Sequence, residues 1–237
     1  MFRLLSSRMR AVSAVAFLLT LMAFAVGCSN SSSKTTVRFV NASPNVASLN
    51  AVVDGASLAS GIANGGGSTA YLAITTGSRH IQIEDATTSA VYIDDTPTFT
   101  AGTTTTYMAT NFGPPNNSVL TKLVLTDDNS GPASGSFKLR VVNATPTLGS
   151  LDVFVLPAGT LPTAGSATFP GVSFPSASAT YASNTAGTYQ IFFTIPGTAS
   201  VVFQSADLTF AAGQVRTLVG IEDSTGINFS TVVLNDN

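Results

Sequence analysis

The stretch VRFVNASP, residues 37–44, decides the fold because it occurs a second time, as LRVVNATP at residues 139–146. The likeness continues in the same order downstream, where SLNAVVDG at 48–55 returns as SLDVFVLP at 150–157. Both pairs are separated by 102 positions. A sequence that repeats after about 100 residues indicates two copies of one structural unit, each of domain size.

Three further pairs of segments extend the repeat to the end of the chain. They are YLAITTGSRHIQI at 71–83 with YASNTAGTYQIFF at 181–193, FTAGTTTTYMA at 99–109 with FAAGQVRTLVG at 210–220, and LVLTDDN at 123–129 with VVLNDN at 232–237. The spacing grows because the second copy has a longer loop after Val155. We therefore predict a first repeat at 37–126, a linker rich in Gly, Pro and Ser at 127–136, and a second repeat at 137–237.

Apolar residues alternate with polar ones in both repeats, which is the pattern of strands with one face on a core. The alternating positions correspond between the repeats, as in Leu49, Ala51 and Val53 with Leu151, Val153 and Val155, and Ile81 and Ile83 with Ile191 and Phe193. Turn sequences rich in Gly separate them, and about seven short strands in 100 residues are typical of a sandwich. We predict an all-β protein with two tandem antiparallel β-sandwiches of immunoglobulin-like or transthyretin-like type.

The composition favours an extracellular all-β protein. Charged residues make up only 9% of the chain, against roughly 25% in ordinary soluble domains. Thr, Ser, Asn and Gly take their place, and Thr together with Val favours strands over helices. With one cysteine the chain cannot form an internal disulfide, so its stability must come from packed cores.

The N-terminus has the pattern of a cleaved signal peptide. Arg3, Arg8 and Arg10 precede an uncharged, largely apolar run at 11–27, and the single cysteine, Cys28, follows directly. The alternative is a membrane-spanning anchor, but such a helix needs roughly 20 apolar residues, and no basic cluster follows this run. We predict a signal peptide at 1–27.

The sequence Ala25-Val26-Gly27-Cys28 resembles the lipobox of bacterial lipoproteins. The resemblance implies cleavage between Gly27 and Cys28, a diacylglycerol on the Cys28 thiol and an acylated Cys28 amine. Residues 28–36 would then form a lipidated tether, and Ser29 in place of Asp favours the outer membrane in a cell with two membranes. The alternative is a buried or reactive thiol, but the position of Cys28 directly after a complete signal pattern favours lipidation. Several acyl chains on Cys28 would give a stable anchoring that one chain cannot provide.

The repeats resemble the domain-of-unknown-function family 4397. Its members open with a strand reading V-R-hydrophobic-hydrophobic-[HN]-A-[ST]-P, which both 37–44 and 139–146 match. A vDvyvdG-like strand and a turn of the type l-x-a-G-t-y follow, carried here by 151–155 and 186–189. The first repeat departs from this pattern with Asn50 in place of the acidic residue. The resemblance spans most of 37–237 and implies secreted or surface β-sandwiches without a known activity.

The residues of common catalytic sites are scarce. His80 is the only histidine, so zinc sites of the His/Cys type cannot be assembled, and we predict that it lies on the surface. No Gly-x-Ser-x-Gly elbow is present. Removal of Arg3, Arg8 and Arg10 with the signal peptide leaves seven basic against 12 acidic residues, which argues against nucleic acid as a partner.

The acidic residues include one candidate calcium site. Asp127-Asp128-Asn129 at the end of the first repeat is echoed by Asn235-Asp236-Asn237 at the end of the second. Asp127, Asp128 and Asp236 are candidate calcium ligands, but Asp and Asn also end strands and begin turns, and we predict no metal. Two equivalent arginines, Arg38 and Arg140, lie on the opening strands and are expected to pair with an acid such as Asp152.

These observations favour a non-catalytic envelope lipoprotein without a cofactor. It would be held at the membrane by Cys28 and would serve as a spacer or bind an envelope polysaccharide or protein. The alternatives are a carboxylate-based polysaccharide hydrolase and a calcium-stabilised adhesin. Acidic pairs such as Asp94-Asp95 point to opposite faces of a strand, so they do not specify the converging carboxylates that a hydrolase needs. The repeats are expected to fold independently, and no catalytic residue is predicted.

Overall fold

Short β-strands build both repeats in this computed structural model, which describes residues 33–111 and 120–237. The first repeat contains β1 (Lys34–Asn41), β2 (Ser48–Val53), β3 (Ala56–Ala63), β4 (Gly67–Ser68), β5 (Leu72–Thr75), β6 (Gly77–Ser78), β7 (Ile81–Asp85), β8 (Val91–Asp95), β9 (Thr98–Phe99), β10 (Thr104–Asn111) and β11 (Leu120–Thr126). The second contains β12 (Ser136–Ala144), β13 (Ser150–Pro157), β14 (Phe169–Ser173), β15 (Ser176–Ala177), β16 (Ala182–Thr185), β17 (Gly187–Thr194), β18 (Val201–Gln204), β19 (Leu208–Phe210), β20 (Val215–Glu222) and β21 (Phe229–Asn235). The predicted signal peptide, its predicted cleavage site at Gly27 and the predicted lipidation site at Cys28 lie outside the described residues.

The first repeat is a sandwich of two larger sheets, and β6 pairs with β9 in a further two-stranded sheet. One sheet has the order β11-β10-β1-β4, with β5 also paired to β1, and the other has the order β3-β2-β7-β8. Side chains from both sheets form one apolar cluster that includes Val37, Leu49, Ala51, Ile81 and Ile83. The positions predicted from the alternation are therefore buried, and Ile81 is 0% exposed.

The second repeat has the same plan. The sheet β15-β12-β20-β21, to which β16 adds, faces the sheet β14-β13-β17-β18, to which β19 adds. Leu151, Val153, Ile191 and Phe193 lie in the cluster between them, as the alternation predicts. Phe193 stacks on Phe203 with ring centroids 4.1 Å apart. The all-β sandwich prediction is confirmed at this level.

The prediction of purely antiparallel sheets is wrong at one place in each repeat. β1 pairs with β10 in parallel, and β12 pairs with β20 in parallel. A parallel pair needs a long crossover connection, and the strands that form the opposite sheet supply it in both repeats. Alternation gives the face of a strand but not the direction of its neighbour, so the sequence did not reveal this pairing.

The two sheets that contain β1 and β12 are buried on both faces. Their outer faces share a third apolar cluster, formed by Val40, Ala42, Met108, Val142, Ala144, Val219, Ile221 and Leu234. The four sheets are therefore stacked as four layers, with an inter-repeat core in the middle. The contact is close at Gly66, where a Cβ atom would lie 2.8 Å from Cγ2 of Val232 in the other repeat.

The inter-repeat core makes the described chain one body, since Ser33–Asn237 forms a single compact unit. Strand pairing does not cross from one repeat to the other within the described ranges, so the contacts between the repeats are made by side chains, which pack on each other or bond to the backbone of the other repeat. Among residues 33–111 and 120–237, no helix has the length and apolar character to cross a membrane.

Candidate functional site

The two equivalent arginines face each other across the inter-repeat core, in a closed ring of hydrogen bonds. Arg38 Nε donates to Thr106 Oγ1 at 2.8 Å, and Thr106 donates to Asp127 Oδ2 at 2.7 Å. Asp127 Oδ1 then accepts from Arg140 Nη2 of the second repeat at 2.5 Å. This half of the ring therefore connects β1 and β12, the opening strands of the two repeats, through Asp127 at the end of the first repeat.

The second half of the ring repeats the same bonds in the other direction. Arg140 Nε donates to Thr217 Oγ1 at 3.2 Å, and Thr217 donates to Asp236 Oδ2 at 2.7 Å. Asp236 Oδ1 accepts from Arg38 Nη2 at 2.5 Å, which closes the ring. The six side chains, called the Arg–Thr–Asp ring below, belong to residues that are between 0% and 7% exposed. Each ion pair joins one repeat to the other.

One tyrosine per repeat is attached to the ring. Tyr71 donates its hydroxyl to Asp127 at 2.7 Å, and Tyr181 donates to Asp236 at 2.9 Å. Burial raises the pKa of both phenols, so both remain protonated donors at neutral pH. The guanidinium carbons of Arg38 and Arg140 lie 4.9 Å from the centroids of the Tyr71 and Tyr181 rings, a distance at which the cation and the ring attract each other.

The Arg–Thr–Asp ring constrains how the two repeats can face each other, because its charges are removed from water. The attraction within a buried ion pair roughly offsets the cost of removing both charges from water, but loss of one partner leaves a buried charge uncompensated. The ring is therefore a weak source of stability and a strong constraint on how the repeats can face each other. The linker predicted at 127–136 begins with a member of this ring.

A cleft opens beside each arginine–tyrosine pair. The first has a volume of about 410 Å³ and is lined by Arg38, Tyr71 and Thr69 of the first repeat and by Asn235 and Asn237 of the second. Arg38 Nη1 donates to the backbone carbonyl of Asn235 at 2.7 Å. The cleft therefore lies between β21, an edge strand, and the segment that joins β4 to β5.

The second cleft, of about 440 Å³, is the counterpart of the first. Arg140, Tyr181, Thr126, Lys138 and Asp128 are among the residues that line it. Arg140 Nη1 donates to the backbone carbonyl of Thr126 at 3.1 Å, on the edge strand β11. The hydrogen bonds from Lys138 and Ser130 lower the pKa of Asp128 to about 2, so this cleft carries a salt bridge at its rim, 2.6 Å long.

A third cleft of about 380 Å³ also lies between the repeats, where Pro44 and Asn64 face Glu222 and Asn228. Burial raises the pKa of Glu222. Its carboxylate accepts from the backbone N–H of Thr147 at 3.1 Å and from the Thr147 hydroxyl at 3.0 Å. These bonds hold the 3₁₀ turn at Pro146–Leu148 against β20, which is a structural role.

The histidine predicted on the surface is exposed there. The side chain of His80 is 43% exposed, and its Nε2 lies 2.7 Å from Oδ1 of Asp94. The hydrogen bond with His80 lowers the pKa of Asp94. The adjacent Asp95 contacts Lys122 and Tyr107 instead, so the two carboxylates do not converge.

The candidate calcium ligands lie in ion pairs. Asp127 and Asp236 belong to the ring, and Asp128 is bound to Lys138. Within the described residues, no group of three or more His, Cys, Asp or Glu side chains is placed to hold a metal ion.

The expected pairing of the arginines with Asp152 is wrong. The carboxylate of Asp152 accepts from the backbone N–H groups of Gly171 and Gly197, both at 2.7 Å. The true partners are Asp127 and Asp236, which follow the last strand of each repeat. The sequence did contain a signal for them, because both the arginines and these aspartates occupy corresponding positions in the two repeats.

Comparison with known families places the chain. The pattern of a family described as a domain of unknown function (DUF4397) matches residues 35–154, more than half of the sequence. The chain belongs to this family. The DUF4397 match covers the first repeat together with β12 and part of β13, so it includes both arginines of the ring.

Among solved structures, the DUF4397 chain is similar to a carbohydrate-binding module of family CBM26 from Eubacterium rectale Amy13K, crystallised in complex with maltoheptaose. The two share 10% identity over 85% of this chain and 96% of that one, with a TM-score of 0.27. A likeness at that score gives no information about a ligand of this protein. No curated protein matches the chain.

Proposed function

We propose that the protein is a non-catalytic lipoprotein of the cell envelope, in which two tandem β-sandwich repeats form one rigid binding body. The observation that carries this proposal is the Arg–Thr–Asp ring. It holds Asp127 and Asp236, two of the most buried carboxylates, in fixed bonds to Arg and Thr, whereas an acid–base catalyst needs a carboxylate free to exchange its proton at a substrate.

The membrane attachment rests on the N-terminal sequence. The charged start, the apolar run and the lipobox-like Ala25-Val26-Gly27-Cys28 support cleavage before Cys28 and acylation of its thiol and amine. Residues between Cys28 and the start of β1 at Lys34 would then tether the body close to the bilayer. In a cell with two membranes, Ser29 favours the outer one.

The anchor is tested by comparing wild type with Cys28→Ala. We expect wild-type protein in the membrane fraction, with a mass that includes acyl chains and lacks residues 1–27. The variant should lose the acyl mass and leave the membrane fraction. A Cys28→Ala protein that keeps the wild-type mass and membrane attachment would contradict the proposal.

The non-catalytic part is tested separately on the purified mature chain. Incubation with polysaccharide from the envelope of the producing cell should release no new reducing ends, whereas the protein should co-sediment with envelope material. Release of reducing ends by the wild type would favour the hydrolase alternative. Binding that requires calcium would favour the adhesin alternative.

A further inference from the structure

We infer that the two clefts beside the Arg–Thr–Asp ring are binding sites for a neutral glycan, with one sugar segment in each cleft. This inference rests on the proposed binding function and adds the position of the sites and the class of ligand. Each cleft has a volume of about 410 or 440 Å³, which is within the range of small-ligand sites.

The charges in the clefts favour a neutral ligand. Arg38 is neutralised by Asp236 at 2.5 Å, Arg140 by Asp127 at 2.5 Å, and Lys138 is paired with a carboxylate at the rim. Each cation among the described residues that line the two clefts is thus paired with a carboxylate, so these residues offer no uncompensated charge to an anionic polymer. The mature chain also has more acidic than basic residues, so its net charge repels anions at long range.

The lining groups match the hydroxyls and amides of sugars. Asn235 lies beside the Arg38–Tyr71 pair in the first cleft. The Thr69 hydroxyl and the Asn237 carboxamide also line this cleft, but both are bonded to the protein's own backbone. The three bonds from Arg38 to Thr106, Asn235 and Asp236 use three of the five N–H donors that a guanidinium has. A tyrosine ring held by an ion pair also offers a rigid amphipathic surface, with an apolar face and a polar tip.

The second cleft offers the same chemistry through different residues. Thr180 and Thr126 supply hydroxyls beside Arg140 and Tyr181, while the hydroxyl of Ser178 is bonded to the backbone of Val141 and Thr180. Because the two clefts keep the same arginine–tyrosine floor in both repeats, one polymer chain with repeating units has two equivalent places to bind. Once a polymer is bound in one cleft, its binding in the second is intramolecular, and this raises the overall affinity above that of either cleft alone.

An added β-strand of a peptide fits the clefts less well. Such a strand binds through the free backbone groups of a sheet edge. The edge strands β21 and β11 do line the clefts, but the carbonyls of Asn235 and Thr126 are already bonded to Arg38 and Arg140. The walls of both clefts mix Ser, Thr and charged side chains with a few apolar ones, such as Val233 and Leu234 in the first and Leu125 in the second.

The sites are tested by filling each cleft with an aromatic side chain that leaves the ring intact. Ala70 lines the first cleft and Ala179 the second, and both residues are exposed. Ala70→Trp and Ala179→Trp are compared with wild type and with Ala212→Trp, which alters an exposed turn elsewhere. The probes are soluble neutral oligosaccharides of glucose and of N-acetylglucosamine, titrated by calorimetry against the full mature chain.

We expect two sugar sites per wild-type chain, one in each single cleft variant, none in the double variant, and two in Ala212→Trp. Thermal unfolding checks that each variant is folded. If the Trp variants do not fold, Ala70→Leu and Ala179→Leu take their place. If the double variant binds sugar as wild type does, the clefts are wrong but the glycan-binding function stands. If wild type binds peptides or anionic sugars and no neutral one, the ligand class is wrong, and co-sedimentation with envelope material still tests the proposed function.

Discussion

At the scale of single residues, two arginines are buried at positions that the alternation of polar and apolar residues along the strands predicts to be solvent-exposed. Arg38 is 2% exposed and Arg140 is 4% exposed, because each is covered by the other repeat. In the part of the chain that the structure describes, each charge is compensated by an aspartate that follows the last strand of the other repeat. A single substitution should therefore act on the interface as a whole.

We predict that Arg38→Met lowers the free energy of unfolding by about 3–5 kcal/mol, since it leaves Asp236 buried without its cation. The matched control is Arg79→Met. Arg79 also pairs with an aspartate, Asp54, at 2.9 Å, but its side chain is 28% exposed and that of Asp54 is 45% exposed. An exposed pair contributes about 0–1 kcal/mol. Urea unfolding of both variants measures the difference, and equal small losses would mean that Arg38 is not buried in the interface.

At the scale of elements, the alternation predicted the sandwich cores and missed the inter-repeat core. Ile81 and Ile191, both named from the sequence, are 0% exposed. The other faces of β1 and β12 contain Arg38 and Arg140, and polar residues in alternation predict that such a face lies in solvent. Burial of an arginine depends on a partner far away in sequence, and a period-two pattern contains no information about that partner.

Local pattern also did not reveal the parallel neighbours of β1 and β12, or the three clefts between the repeats. The clefts form where an edge strand of one repeat meets an interrupted edge of the other, so they exist only after the repeats have packed. Their arginines and aspartates were visible in the sequence as repeated positions. Which arginine would bind which aspartate was not, because both the pairing within a repeat and the pairing between repeats fit the same pattern.

The element scale gives a test of the inter-repeat core. Met108 lies on β10 and points away from the sandwich of its own repeat into that core, where it is 0% exposed. We predict that Met108→Ala costs about 2–5 kcal/mol, as truncation of a buried side chain does. Ile191→Ala in a sandwich core should cost a similar amount, and Val124→Ala, at a position that is 41% exposed, much less. Chemical unfolding of the three variants decides, and a Met108→Ala loss as small as that of Val124→Ala would place Met108 in solvent.

At the scale of the whole molecule, the two repeats contact each other reciprocally, because the aspartate at the end of each repeat pairs with the arginine of the other. The first repeat supplies Asp127 to Arg140, and the second supplies Asp236 to Arg38. This is the reciprocal arrangement of a two-fold interface, in which the same patch on each side is complementary to itself. A repeat that folded alone would expose its half of the apolar cluster and leave its arginine and aspartate without their partners.

We therefore predict that the repeats remain together when the chain between them is cut. Gly131, Ala133 and Ser134 are exposed in the connection before β12, so a protease site inserted there should be accessible without disturbing either sandwich. After cleavage, the two fragments should elute together in size-exclusion chromatography at the position of the uncut chain, because the apolar cluster and the ring hold them. Arg38→Met in the same cleavable chain should let the fragments separate at higher concentrations than wild type does, while Arg79→Met should not. Fragments that separate at once and keep their strand content by circular dichroism would support the independent repeats expected from the sequence, and would show that the inter-repeat core is dispensable for folding.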